Sequence, residues 1–386
     1  MRKATWIAAA LAASLGLAAC GSSSGGGSDS GPVKLALIVP ETGAFGPVAG
    51  VSFRDATKVV VDEYNKAGGV DGRQIDLQIC NDESTPEKAI SCYRSVSAKA
   101  DIVLGPHIGL TYKAVSAIAL KKSQLLVTAT PHGFPDAKST VFDSAVPAEY
   151  AITKAFEYLE GRGLSKVGML TGNDETGQTA KAAAQKDAAA SGGKIQLTSE
   201  TFDVQARSVT AQVNKLKAAG VDTIFVWSTG AVVATILRDI DQVGLDLPVV
   251  VNYSNLSYGL MSLVPKNAVP KELLFTGTRA FTQSKANAAQ QKFYKSFDAD
   301  FLAMTKRKPD FNAYAAADAA VTALQAVDGA KSTSGKDLKA WLEAGNEIDA
   351  PNFVFKFGKG QHVGGTDPAQ VEIVKWNGAG WDPAGQ

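Results

Sequence analysis

DIVLGPHIGLTYKAVSAIALKKSQLLVTATPHG, residues Asp101–Gly133, decides the fold. Ile102, Val103 and Leu104 form a short apolar run that Gly105-Pro106 stops. Leu125, Leu126 and Val127 form another, stopped at Thr130-Pro131. A helix-length segment separates them. Short all-apolar runs joined in this way predict parallel strands buried on both faces. Ligands of open α/β sheets sit beyond the carboxyl ends of such strands. The two loops at those ends carry His107, Ile108 and Gly109 on one side and Thr130, Pro131 and His132 on the other. They are expected to form half of a small-molecule site.

Working outward, the same rhythm repeats. Lys34–Pro40 reads as a strand, Val48–Lys66 as a helix that Ala67-Gly68-Gly69 ends, and Gln74–Cys80 as a second strand. Pro86 opens a further helix at a first-turn position. A short strand is expected over Val141–Val146. After Pro147 a second series begins, with strands near 166–170, 194–202, 223–227, 248–251 and 272–276. Helices near 285–305, 312–327 and 336–343 follow, then strands at 353–357 and 371–376. Alternation on this scale is an α/β fold. Two series without a long linker predict two Rossmann-like lobes with central parallel sheets.

The 386 residues are long enough for two or three domains, and a hydrophobic content of 45% supplies real cores. The formal net charge is +1, which offers nucleic acid no basic face. Met1-Arg2-Lys3, the acid-free Ala-rich stretch to Ala19 and then Leu17-Ala18-Ala19-Cys20 have the form of an export signal. The stretch is short and Ala-rich for a membrane span. Leu17–Cys20 resembles the lipobox of bacterial lipoproteins, which implies cleavage before Cys20 and acylation of its thiol. Residues 21–31, rich in Gly and Ser, fit a flexible tether. The expected location is the cell surface or periplasm, with the membrane touched only through that lipid. Cys80 and Cys92 remain, as a disulfide or as two buried thiols. Export permits the bond, and closing a loop of about a dozen residues contributes roughly 3 kcal/mol.

Catalysis has little support, and the chain is read as not an enzyme. It has no G-x-S-x-G elbow, P-loop or metalloprotease motif. Its three His are at 107, 132 and 362. His107 and His132 can hydrogen-bond a carboxylate or stack on a ring. As metal ligands they lack an evident third partner, so neither metal nor cofactor is expected.

The ordered motifs Pro40–Gly46 (PETGAFG), Asn65–Arg73 (NKAGGVDGR), Asn81-Asp82-Glu83 with Pro86, Val103–Pro106 (VLGP) and Thr128–Pro131 (TATP) carry a family resemblance. The chain resembles the type I periplasmic solute-binding proteins of the leucine/isoleucine/valine-binding family, which serve ABC importers. That resemblance implies a ligand cleft between two lobes joined by three crossovers, here placed near 145–147, 277–280 and 351–353. It implies a first lobe of 33–146 and 279–352 and a second of 147–278 and 353–386, after a signal over 1–19 and a tether over 20–32. It also implies a monomer that hands a small solute, foremost a branched-chain or other apolar amino acid, to permease subunits. Phe45 corresponds to a pocket aromatic, Gly109 to a hydroxyl position, and Thr130, Pro131 and His132 to small or hydroxyl positions. From the second lobe, Thr176, Trp227 and Ser228 correspond to pocket positions. Tyr253 completes a possible aromatic clamp with Phe45 and Trp227. The ammonium partner of amino-acid binders falls near Asn252–Asn255, where there is no carboxylate. Asp174 or Glu175 is the substitute, unless Asp174 caps its helix. An aromatic or aliphatic carboxylate, or an amide, is therefore the alternative ligand, and a ligand-sensing receptor component is the alternative role.

Overall fold

The computed structural model describes residues 31–130, 136, 138–283 and 286–385. Cys20, Pro131 and His132 lie outside the described residues. The first run of elements is β1 (Val33–Val39), α1 (Val51–Lys66), β2 (Ile75–Asn81), α2 (Pro86–Ser97), β3 (Ile102–Leu104), α3 (Gly109–Ala119), β4 (Leu125–Thr128) and β5 (Val141–Asp143). The strands form one parallel sheet in the order β2-β1-β3-β4-β5. Alternating side chains divide between two helical layers. Leu35, Leu37, Ile102, Leu104, Leu125 and Val127 face one core. Ala36, Ile38, Val103, Leu126 and Val141 face the other, with Tyr93 and Val96 of α2 and Val115 of α3. Burial on both faces is why these strands read as unbroken apolar runs.

The second run is α4 (Ala148–Gly161), β6 (Lys166–Gly172), α5 (Glu175–Ala190), β7 (Gln196–Phe202), α6 (Thr210–Ala218), β8 (Thr223–Trp227), α7 (Val232–Gln242), β9 (Val249–Val251), α8 (Tyr258–Leu263), β10 (Leu273–Thr278) and α9 (Arg279–Thr282). The chain then returns to the first lobe with α10 (Ala288–Thr305), α11 (Phe311–Ala330), α12 (Gly335–Glu343), β11 (Glu347–Asp349) and β12 (Val354–Lys356). It ends with β13 (Val371–Trp376) and β14 (Trp381–Pro383). The second sheet has the order β14-β13-β10-β9-β8-β6-β7. Its five strands from β10 to β7 are parallel, and β13 and β14 extend one edge antiparallel.

One expected boundary moves. The strand near 353–357 pairs with β11 in a separate two-stranded ribbon, not with the second sheet. The turn that follows stays on the first sheet's edge: Asp143 N donates to His362 O at 2.8 Å, and Val363 bridges Asp143. The His362 ring stacks on Phe142 with centroids 4.0 Å apart. Residues 353–363 therefore belong with the first lobe, and the third passage runs between Val363 and β13. The expected strand over Val141–Val146 is likewise shorter, because the chain leaves the sheet at Ser144.

α11 is the spine of the first lobe. It is buried almost all round, from Phe311 to Val327, and packs against α1, β3 and β4. Its N-cap Asp310 accepts from Ala313 N at 3.0 Å.

Candidate functional site

The carboxyl ends of both parallel sheets face each other across a cleft. The first wall begins after β1. Gly43 has φ +84, and a Cβ there would fall 2.3 Å from Glu83 O, so the turn at 41–45 and the turn at 81–84 demand glycine where they meet. Asn81 Nδ2 donates to Thr42 Oγ1 at 2.9 Å, and Ser84 Oγ donates to Thr42 O at 2.9 Å. Phe45 N donates to Ser84 Oγ at 3.1 Å. The Cys80–Cys92 disulfide, with Cα atoms 5.7 Å apart, ties the start of that second turn to α2. This framework fixes Phe45, which is half-buried and reaches the opposite lobe. A Cβ on Gly230 would lie 3.3 Å from its ring.

The loop after β3 brings in Pro106, His107 and Ile108 before α3 starts at Gly109. His107 is 3% exposed and packs 5.0 Å from Phe53 of α1. Its Nδ1 accepts from Ala129 N at 3.1 Å, which puts the ring proton on Nε2. Burial pushes its pKa down to about 3, so the ring is neutral. The imidazole is thus a tie between the β3 and β4 loops inside the lobe, not the cleft-facing group expected from sequence. Ile108 is buried against the same core.

Gly109 and Thr130 are brought together with Thr176 of the other lobe. A Cβ on Gly109 would stand 3.6 Å from Thr176 Oγ1 and 3.9 Å from Thr130 Cγ2. Thr130 N donates to Asp143 Oδ1 at 3.0 Å, and Thr130 Oγ1 lies 2.6 Å from Thr128 Oγ1. Both hydroxyls also reach Pro106 O, at 2.6 Å from Thr128 and 3.3 Å from Thr130. Asp143 is fully buried, which pushes its pKa well above the usual carboxylate range, opposed by the Thr130 amide.

On the second wall, Asp174 caps α5: its Oδ1 accepts from Gly177 N at 2.9 Å. That use corrects its expected place as a ligand group. Glu175 reaches across the rim to Lys113 of α3 at 2.5 Å. Trp227 is completely buried between Phe225 and Tyr253, with centroids at 5.8 and 6.0 Å. It is core, and so not half of a clamp. Tyr253 is 2% exposed, and its hydroxyl donates to Val146 O at 2.9 Å, beside the first passage. Its ring rests on Phe311 at 5.1 Å. Tyr253 is a strut between lobes, again not an arm of a clamp.

Ser228 and its surroundings are polar and uncharged. Asn255 Nδ2 donates to Ser228 O at 2.6 Å and to Asn252 Oδ1 at 2.6 Å. Asn252 Nδ2 donates to Ser254 Oγ at 2.7 Å, which lies 2.9 Å from Thr229 Oγ1. Ser228 Oγ and Asn255 Oδ1 are buried without a partner among the described residues. Sequence reasoning missed Gly230 and Ser257. Ser257 Oγ donates across the cleft to Val48 O at 2.7 Å. The Gly in Ser228-Thr229-Gly230 was the available signal for Gly230; nothing local marked Ser257.

Two α/β lobes with three passages and facing strand-end loops define the class of bilobal solute-binding proteins. A family profile described as Periplasmic binding protein matches residues 32–380. The chain belongs to this periplasmic binding protein family, and its type I, Leu/Ile/Val-binding branch is supported by its relatives. The "Leu/Ile/Val-binding protein homolog 3" of Brucella melitensis is 24% identical over 359 residues, covering 86% of this chain and 93% of that protein. A periplasmic binding protein type 1 from Bordetella pertussis Tohama I superposes with a TM-score of 0.79 at 20% identity, covering 92% of this chain and 100% of that one. The branched-chain amino acid transporter substrate binding protein LivJ of Streptococcus pneumoniae, solved with isoleucine, superposes with a TM-score of 0.75 at 20% identity, covering 91% and 97%.

Proposed function

We propose that the protein is the extracytoplasmic solute-capturing subunit of an ABC importer, holding a branched-chain or other apolar amino acid between its lobes. The observation that carries this reading is the meeting of Gly109 and Thr130 with Thr176, and of Phe45 with Gly230, at the facing strand ends. In this reading, closure of the lobes on a small solute excludes water, and polar contacts to it strengthen in the lower dielectric. The isoleucine bound by the Streptococcus pneumoniae relative supports the ligand class. In this reading the protein works as a monomer, Cys20 carries a lipid that holds it at the outer face of a membrane, and permease subunits receive the solute from the closed form.

A second ligand reading has its own support. The loop after β9 offers Asn252, Ser254 and Asn255, which are neutral, where an ammonium group calls for a counter-charge. An aromatic or aliphatic carboxylate, or an amide, suits these groups.

The test is a thermal-shift screen followed by calorimetry, with leucine, isoleucine and valine in one arm and carboxylates and amides in the other. A ligand at one hundred times its Kd raises stability by about 2.7 kcal/mol. A melting temperature unmoved by every compound sinks both ligand readings. Mass spectrometry of the mature protein tests the anchor: a chain without acylated Cys20 rules it out.

A further inference from the structure

Two consecutive residues of the turn after β2 are left-handed without being glycine: Glu83 has φ +50 and Ser84 φ +61. Side chains rarely adopt this conformation, and it persists only where neighbouring groups hold it. Each of the two is held by the side chain two residues before it. Asn81 Oδ1 accepts from Glu83 N at 2.9 Å, and Asp82 Oδ1 accepts from Ser84 N at 2.9 Å. The backbone of Asp82 is fixed as well. Its N–H donates to Val39 O, the last residue of β1, at 3.0 Å, and its carbonyl accepts from Thr85 N at 2.9 Å. What the left-handed pair achieves is the placing of Ser84 Oγ, the acceptor for the Phe45 amide and the donor to Thr42 O. The loop carrying Phe45 passes so near that a Cβ on Gly43 would stand 2.7 Å from that hydroxyl.

Asn81 and Asp82 differ in surroundings. Asn81 is half-buried at the edge of the wall, where its amide also donates to Thr42 Oγ1. Asp82 is completely buried. Burial lifts its pKa to about 6, against the pull of the Ser84 N–H and of the Thr111 hydroxyl on the first turn of α3. One carboxylate thus stands where three pieces of the first wall come together: the turn at 81–84, the Phe45 loop that hangs from Ser84, and the helix that starts at Gly109. Hydrogen bonds are directional, and a buried polar group left unpaired is costly, so the carboxylate gives the Ser84 hydroxyl one favoured seat.

We propose that Asp82 is a positioning residue of the solute site: its carboxylate holds Ser84, Ser84 holds Phe45, and solute affinity depends on Asp82 through that aromatic ring alone. The proposal rests on the reading of Phe45 as a wall of the solute site, and it deepens that reading by naming a residue that acts on solute without touching it. A ring whose backbone is already fixed loses little freedom when a solute packs on it, whereas a loose one must be ordered at the expense of binding.

The experiment is a double-mutant cycle in the full mature chain, with L-leucine, L-isoleucine, L-valine, isocaproate and isocaproamide as probes. Asp82→Ala removes the acceptor of Ser84 N, and Asp82→Asn keeps it. Asp82→Ala is expected to weaken binding about tenfold, the loss of one buried hydrogen bond to a charged group, and Asp82→Asn to stay within about twofold of the wild type. In a Phe45→Ala background, Asp82→Ala is expected to cause no further loss, because the ring through which it acts is gone. A loss that persists undiminished in that background overturns the proposal, as does an Asp82→Ala variant that binds like the wild type or an Asp82→Asn variant that binds as weakly as Asp82→Ala. Should Asp82→Ala fail to fold, Asp82→Ser takes its place in the cycle, with a smaller loss that must likewise vanish with Phe45. Amide hydrogen exchange of the solute-free protein gives a second reading. The Phe45 amide is expected to exchange about tenfold faster in Asp82→Ala and at the wild-type rate in Asp82→Asn. If no probe binds even the wild type, the solute reading fails, while an unchanged exchange rate at Phe45 in Asp82→Ala separately overturns the positioning role.

Discussion

Trp227 and Thr176 sit one strand apart and have opposite fates. Trp227, the last residue of β8, points into the core, while Thr176 meets Gly109 across the cleft. Trp227→Ala is therefore expected to cost about 3–5 kcal/mol of stability, as a large core truncation does. Urea unfolding measures it, and a stable variant with lost binding would return Trp227 to the cleft. Gly109→Val tests the cleft itself. The backbone tolerates it, but its branches would enter the gap in front of Thr176 and hold the lobes apart. Binding is expected to fall at least tenfold with little change in the melting temperature of the solute-free protein. A third residue carries a pH signature. Burial of Asp310 lifts its pKa to about 6, against the opposing pull of Ala313 N, Ser52 and Arg307. The folded state then holds this proton more tightly than the unfolded chain, whose carboxyl is near 3.9. Its contribution to stability is full below about pH 4 and is lost as pH rises through 6. Asp310→Asn keeps a good helix cap and is expected to flatten stability between those limits, read from melting temperature against pH.

At the scale of elements, the parallel strands were the most legible part of the sequence, because burial on both faces writes itself as short runs such as Ile102–Leu104. The rule that ligands lie beyond strand carboxyl ends pointed to the loops after β3 and β4, and the family resemblance to Phe45, Gly109 and Thr176. Neither could tell which side of the sheet a strand-end residue takes, and Trp227, Tyr253 and His107, expected in the cleft, are buried in the core. β11, β12 and β14 are three residues each, too short for any period to show. The pairing of β12 with β11, and with it the place of the third passage, rests on contacts that no local pattern encodes. The turn at 81–84 illustrates how elements serve the site. Cys80 and Cys92 hold it to α2, and it holds Phe45 through Ser84. Replacing both cysteines by serine is expected to lower stability by roughly 3 kcal/mol, for a separation of 12 residues. Calorimetric melting under non-reducing conditions checks this; an unchanged melting temperature would mean the bond adds nothing.

For the whole molecule, the lobes meet through contacts at the rim and beside the passages. The Lys113–Glu175 pair joins the lobes directly, but its side chains are 72% and 65% exposed. Water and salt screen such a pair, and exposed pairs contribute about 0–1 kcal/mol. Lys113→Ala is expected to change solute affinity by less than about fivefold, with the difference vanishing at high salt. A larger, salt-independent loss would show that the pair is a true latch. The contacts at Tyr253 and Ser257 that join the lobes are, by contrast, buried.

The position of α11 also governs how the chain is made. Together with α1 its residues cover the face of the first sheet that carries Leu35, Leu37, Ile102, Leu104, Leu125 and Val127, yet they follow the whole of the second sheet's parallel series in sequence. Domains fold as their segments emerge from the N-terminus, and exposed apolar sheet surface aggregates. A nascent chain that has released β1 through β5 therefore has a set of strands whose face is covered by α1 over β1 and β2 but still open over β3 and β4. It must stay unpaired, or be shielded by a chaperone, until Phe311–Ala330 arrives. Fragments ending before Phe311 are accordingly poor candidates for expression as a free first lobe, whereas joining residues 288–363 directly to the end of β5 would supply the missing layer.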